Sequence, residues 1–164
     1  ARKYIGTPYR RGSKGPNRFD CSGFMQYIFN HFSYSLNASS ASQYLQGISV
    51  KDEEICRGDL VFFKGRNSRR SNVGHVGLVT EVYPDGRFKF IHASTSQGIR
   101  EDWNFSPYYA QRYVGARRIY FVQIDKRLIL DAILELEDID DNTPFTETEK
   151  SITPQEFSTF VRAE

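Results

Sequence analysis

Cysteine is scarce in this chain. Among 164 residues only Cys21 and Cys56 carry thiols, and they form no CxxC pair. A disulfide framework and a zinc ribbon are therefore not indicated, since each needs more sulfur at closer spacing. One Cys21–Cys56 bridge would be possible, at the cost of both free thiols. Long apolar runs are missing as well. No stretch of 18 apolar residues occurs, so no membrane-spanning helix is predicted. There is no internal repeat and no low-complexity tract. No signal peptide is visible at the abrupt start Ala1-Arg2-Lys3-Tyr4, which is consistent with an export signal removed ahead of it.

Net charge is small, +2, but unevenly spread. Residues 1–127 carry 20 Lys and Arg against 10 Asp and Glu, whereas residues 128–164 carry 2 against 10. A basic body favours an anionic partner, and an acidic tail either folds back onto it or stays a solvated extension. The length suits one domain with an appendage.

Along the chain, Gly6-Thr7-Pro8-Tyr9 to Gly15-Pro16-Asn17 is rich in turn formers and reads as a loop. Residues 20–32 read as a helix with Asp20 as N-cap and a buried stripe of Phe24, Ile28 and Phe32, widened by Met25 and Phe29. Ser39–Gln46 reads as a second short helix ended by Gly47. From residue 59 the period changes. Leu60-Val61-Phe62-Phe63 reads as a buried strand. Val73–Tyr83, the turn signal Pro84-Asp85-Gly86 and the alternating Arg87–His92 predict a β-hairpin, and a further strand is expected within 113–122. One buried helix followed by a meander of strands predicts an α+β fold with an antiparallel sheet. Leu128, Ala132 and Leu136 have helical spacing, and the acidic cluster 137–141 follows.

The chemistry centres on Phe19-Asp20-Cys21-Ser22-Gly23, which places a thiol at a helix start. Unpaired N–H groups and the positive end of the helix dipole favour a thiolate there, predicting a lowered thiol pKa and a nucleophile. Three histidines are present. His75 lies inside the first hairpin strand between Gly74 and Gly77, which leave room for a backbone or a ligand. His92 ends the second strand. A base beside the thiol, oriented by a third polar group, is what nucleophilic cysteine catalysis requires. His75 is the candidate base and His92 the candidate orienter. A regular hairpin would set His92 opposite residue 78, some ~10 Å along the strand from His75. A bulge is needed to bring the rings together. His31, near the helix C-terminus, reads as structural. No pair shows metal-ligand spacing, and neither metal nor cofactor is called for.

Five segments in order resemble the NlpC family of cell-wall peptidases. They are Gly6-Thr7-Pro8-Tyr9-Arg10, Phe19-Asp20-Cys21-Ser22-Gly23, Gly58-Asp59-Leu60-Val61-Phe62-Phe63, Gly74-His75-Val76-Gly77-Leu78 and Phe90-Ile91-His92-Ala93-Ser94. The resemblance covers residues 4–119. It implies a papain-like α+β fold, with domain 1–119 carrying the activity and 120–164 an extension of unknown role. It further implies a Cys-His-His triad of Cys21, His75 and His92. Tyr9 matches the tyrosine that lines the site and helps hold the oxyanion, and Asp20 with Ser22 match positions that bind the free amine of a peptide stem.

By the same resemblance the expected function is cysteine endopeptidase action on peptidoglycan stem peptides, at γ-D-glutamyl-diaminopimelate, by a monomer in the cell envelope or secreted. An inactive wall-peptide binder, or an acyltransferase or amidase using the same thiol, are the alternatives. The sequence departs from the family at Arg11-Gly12-Ser13, Arg18 and Asn37-Ala38, which shape the cleft rim. Cys56 reads as a packing residue. The basic loop 64–70 reads as a solvated loop or as a holder of substrate carboxylates.

Overall fold

The computed structural model describes residues 1–65 and 72–120. Helix α1 spans Cys21–Asn30. Asp20 starts it as N-cap, its Oδ1 accepting the Gly23 N–H at 2.6 Å. Its Oδ2 accepts the Gly12 N–H at 2.8 Å, which ties the preceding loop to the helix start. Phe24, Met25, Ile28 and Phe29 are buried. Each such side chain contributes about 1.5–3 kcal/mol when fully removed from water, and together they hold α1 on the sheet. The predicted stripe runs too far. The helix ends at Asn30, Ser33 turns the chain at φ 58°, and Phe32 is left 63% exposed. His31 is the C-cap, its ring Nδ1 2.7 Å from the Tyr27 carbonyl oxygen, a structural role as expected.

Helix α2 is shorter than predicted, Ser40–Gln43, and is closed by a reciprocal cap between Ser39 and Ser42. Six strands follow: β1 (Ile48–Val50), β2 (Leu60–Lys64), β3 (Val73–Val82), β4 (Phe88–Ser94), β5 (Gly98–Trp103) and β6 (Tyr113–Arg118). Helix α3, Pro107–Ala110, lies between the last two. The sheet order is β1-β6-β2-β3-β4-β5, and all pairings are antiparallel. The α+β expectation is met. Strands β1 and β5 and helix α3 carry no clear sequence signal, and β5 (Gly-Ile-Arg-Glu-Asp-Trp) is too charged to read as a strand.

Alternation along the strands divides the apolar side chains into two clusters. Leu60, Phe62, Val76, Ile91, Ala93 and Ile99 pack with α1. Val61, Phe63, Val79, Phe88, Phe90 and Ala116 form the second cluster. Asp59, 1% exposed, stands just before β2. Its carboxylate accepts from Arg118 at 2.7 and 2.9 Å and from the Cys56 N–H at 2.8 Å, joining that loop to the end of β6. Cys56 itself is exposed, so the packing role expected of it is wrong: the loop turns its side chain outward while its backbone serves Asp59.

The required bulge is present. Strands β3 and β4 pair Val82 with Phe88 and Glu81 with Lys89, then skip Thr80 and pair Val79 with Phe90 and Leu78 with Ile91. One extra residue on β3 sets His92 level with Gly77 instead of Leu78. Because side chains alternate with period two, this shift moves His92 onto the face that carries His75. The glycines serve close approach. A Cβ on Gly74 would lie 2.6 Å from Gly65 Cα, and one on Gly77 would lie 2.5 Å from the Phe90 ring. The room at Gly77 is therefore taken by Phe90.

The expected helix at 128–136, the acidic cluster 137–141 and residues 66–70 of the basic loop lie outside the described residues.

Candidate active site

The β3–β4 ladder ends at Leu78 and Ile91. Beyond that point β3 pairs only with β2, and β4 only with β5. The N-terminus of α1 meets the sheet here, with the Val76 N–H directed at the Cys21 thiol. Cys21 and His75 line one cavity of about 970 Å³, together with Tyr9, Tyr109 and Asp102. Arg11, Lys64 and Arg100 add positive charge to its wall.

His75 and His92 meet at Nε2···Nδ1 2.9 Å, with ring planes at 86°. His92 is fully buried. Its other nitrogen, Nε2, is 2.8 Å from Asp102 Oδ2 and 3.2 Å from the Tyr109 hydroxyl. Arg100 Nη2 donates to Asp102 Oδ1 at 2.5 Å. Strand pairing explains the grouping. Phe90 lies opposite Asp102 and His92 opposite Arg100, so β4 and β5 present all four side chains on one face. Tyr109, on α3, stacks near His75 at 25° and closes the group from above.

The electrostatics run against the lowered pKa expected of the Cys21 thiol. Burial, then the charge of Asp20, pushes the Cys21 thiol up to about 11. The N–H groups of Ser22, Val76 and Cys21 pull the other way but do not win. The helix-terminus effect is real and is outweighed by desolvation. Burial, then the neighbouring His92, pushes His75 down to about 3, against an upward pull from Asp102. Burial also raises the Asp102 carboxyl, but the hydrogen bond and charge of His92, Arg100 and Tyr109 outweigh it and hold the group below its ordinary value. Burial thus pushes both groups toward their uncharged forms, the Cys21 thiol upward and the His75 imidazole downward.

The remaining candidates divide. Tyr9 lines the cavity and is bridged to Phe19, two residues before Cys21. Asp20 and Ser22 adjoin Cys21 without being part of the cavity wall, and the Ser22 hydroxyl donates to Asp20 at 3.2 Å. Among the departures from the family pattern, Arg11 faces the cavity and Arg18 is exposed away from its wall. Asp102, Arg100 and Tyr109 were not found by sequence reasoning. For Asp102 and Arg100 the only signal is the cross-strand register, which cannot be drawn until β5 is recognised, and Tyr109 lies on the unpredicted helix α3. Among the described residues, no cluster of three His, Cys, Asp or Glu could hold a metal ion, and no helix is long and apolar enough to cross a membrane.

The profile described as the NlpC/P60 family matches residues 6–118. The chain belongs to the NlpC/P60 family. Murein DD-endopeptidase MepS/Murein LD-carboxypeptidase of Escherichia coli (strain K12) is 36% identical over 115 residues, 70% of this chain and 56% of that protein. Gamma-DL-glutamyl hydrolase of Bacillus subtilis (strain 168) is 34% identical over 121 residues, 73% of this chain and 28% of that protein. The chain thus spans little more than half of the first of these NlpC/P60 relatives and under a third of the second. A crystal structure of an NlpC/P60 family protein from Bacillus cereus ATCC 10987 is 29% identical with a TM-score of 0.63, covering 71% of this chain and 37% of that one. The antiparallel sheet with α1 against it is the papain-like arrangement of this NlpC/P60 domain.

Proposed function

We propose that residues 1–119 form a cysteine endopeptidase that cuts peptide stems of peptidoglycan, with Cys21 as nucleophile, His75 as base and His92 behind it. One observation carries the reading. Cys21 and His75 share one cavity wall, and His92 stands 2.9 Å behind His75. The His75 Nε2 is engaged by His92, which leaves Nδ1 to take the thiol proton.

Proton transfer to His75 Nδ1 makes a thiolate that attacks the amide carbonyl carbon. The oxyanion forms beside the Tyr9 hydroxyl and the N–H groups at the start of α1. The C–N bond breaks, and the departing amine takes the proton from His75. Water, deprotonated by His75, then cleaves the thioester and restores the thiol. Asp20, steadied by the Ser22 hydroxyl, supplies negative charge for the free amine of the stem. Arg11 and Lys64 face its carboxylates.

The bond between γ-D-glutamyl and diaminopimelate is the proposed target, in keeping with the name of the B. subtilis relative. The name of the E. coli relative favours a second reading, cleavage of the D,D cross-link. The protein acts as a monomer, in the cell envelope or after secretion. The test is digestion of defined monomeric and cross-linked muropeptides, analysed by mass. Loss of a diaminopimelate-containing fragment from monomers supports the first bond, and conversion of dimers to intact monomers supports the second. Cys21→Ala cleaving as fast as the wild type would end the proposal, and no cleavage by the wild type itself would favour a wall-peptide binder. A product joined to an added amine would mark an acyltransferase.

A further inference from the structure

We propose that Asp102 is a positioning residue that sets the proton arrangement of His92 and His75, so that a bare His75 Nδ1 awaits the thiol. The inference rests on the peptidase reading above. A pair of hydrogen-bonded neutral imidazoles has two proton arrangements, running in opposite directions. In one, His75 Nε2–H donates to His92 Nδ1, and His75 Nδ1 is bare. In the other, His92 Nδ1–H donates to His75 Nε2, and the proton on His75 Nδ1 blocks catalysis. The 2.9 Å contact between the rings fits both. Something beyond the pair must choose.

Asp102 makes that choice. An ionised carboxylate only accepts. With Oδ2 at 2.8 Å it demands the proton on His92 Nε2, which leaves His92 Nδ1 to accept from His75. The Tyr109 hydroxyl, 3.2 Å from the same nitrogen, is also hydrogen-bonded to Asp102. Arg100 grips the other oxygen at 2.5 Å and holds the carboxylate in place. After the thiol proton moves, His75 carries a positive charge, which Asp102 stabilises through His92.

Arg100 also makes Asp102→Asn a sharp probe. The guanidinium needs an oxygen, so the asparagine turns its oxygen to Arg100 and its NH₂ to His92 Nε2. That donor requires a bare Nε2 and reverses the whole chain. The expected result at pH 7 is a kcat/KM on muropeptides lowered by about a hundredfold, in the range that general-base catalysis supplies. The deficit should shrink as pH rises, because hydroxide then removes the thiol proton without His75. A purely structural defect would lower the rate by a similar factor at every pH. A pH-independent deficit, or a loss under about threefold, would overturn the proposal.

A second measurement needs no variant. Nitrogen NMR of the wild-type imidazoles should find both Nε2 atoms protonated and both Nδ1 atoms bare, and the reverse assignment would overturn the relay even if the variant failed to fold. Cys21→Ala and His75→Ala run beside it. Wild-type rates in those two would sink the peptidase reading itself. Their inactivity together with reversed tautomers would sink only the role of Asp102.

Discussion

Asp20→Asn isolates the effect of one charge on the Cys21 thiol. Asp20 is the largest cause, after burial, of the raised Cys21 thiol. Asparagine is as good an N-cap as aspartate, so α1 should keep its start. Its Oδ1 can still accept from Gly23, now at 2.6 Å. The new NH₂ group faces the Gly12 N–H, which loses its 2.8 Å acceptor but lies in an exposed loop and can turn to water. The stability cost is therefore about 1 kcal/mol.

For charges about 6 Å apart at an effective dielectric of about 20–40, Coulomb's law gives roughly 1.4–2.8 kcal/mol. That corresponds to about one to two pKa units. Removing a negative charge favours the thiolate, so the thiol moves down from about 11. The thiolate population at pH 8 should then rise about ten- to a hundredfold, and lower intrinsic nucleophilicity takes back about half of that gain on a logarithmic scale. The net expectation is alkylation of Cys21 by iodoacetamide about three to ten times faster. Mass spectrometry reads it, with exposed Cys56 as the internal reference. A rate that is unchanged or slower, in a variant that melts within a few degrees of wild type, would refute the electrostatic account.

Asp59→Ala should destabilise the domain by about 3 kcal/mol in urea titration, near the low end for a broken buried pair because Arg118 keeps some contact with water. A loss below about 1 kcal/mol would mean that the pair contributes little beyond its packing. His75 makes stability depend on pH. Its folded value, about 3, lies below its ordinary 6.5, so its contribution is complete above 6.5 and is lost as pH falls toward 3. Unfolding midpoints should drop across that window, and His75→Gln should flatten the drop, whereas an equal slope in the variant would assign it to other groups.

Much of the site was legible because its signals are local. Asp20 caps within three residues, the α1 stripe repeats at helical spacing, and Pro84-Asp85-Gly86 marks the turn between two alternating strands. Five short segments in order were enough to identify the family, which the profile match bears out. Phe32 misled because the apolar periodicity continues past Asn30, where the helix ends just ahead of the turn at Ser33. Strand β5 stayed hidden because its polar residues are committed elsewhere. Arg100 and Asp102 serve the histidines, and Glu101 pairs with Arg2. A strand whose charges all have partners looks like a loop when only its own residues are read.

The sequence by itself determined the thiol at its helix start, the two histidines of one hairpin and the α+β class. Each of these depends on neighbours within a few residues. Tertiary structure alone decided the rest. Omitting Thr80 from the ladder put His75 and His92 on one face, β5 brought Asp102 behind them, and enclosure pushed the Cys21 thiol up where the helix start alone would have lowered it. Register and desolvation depend on which distant segments surround a residue, and the residue types do not carry that information.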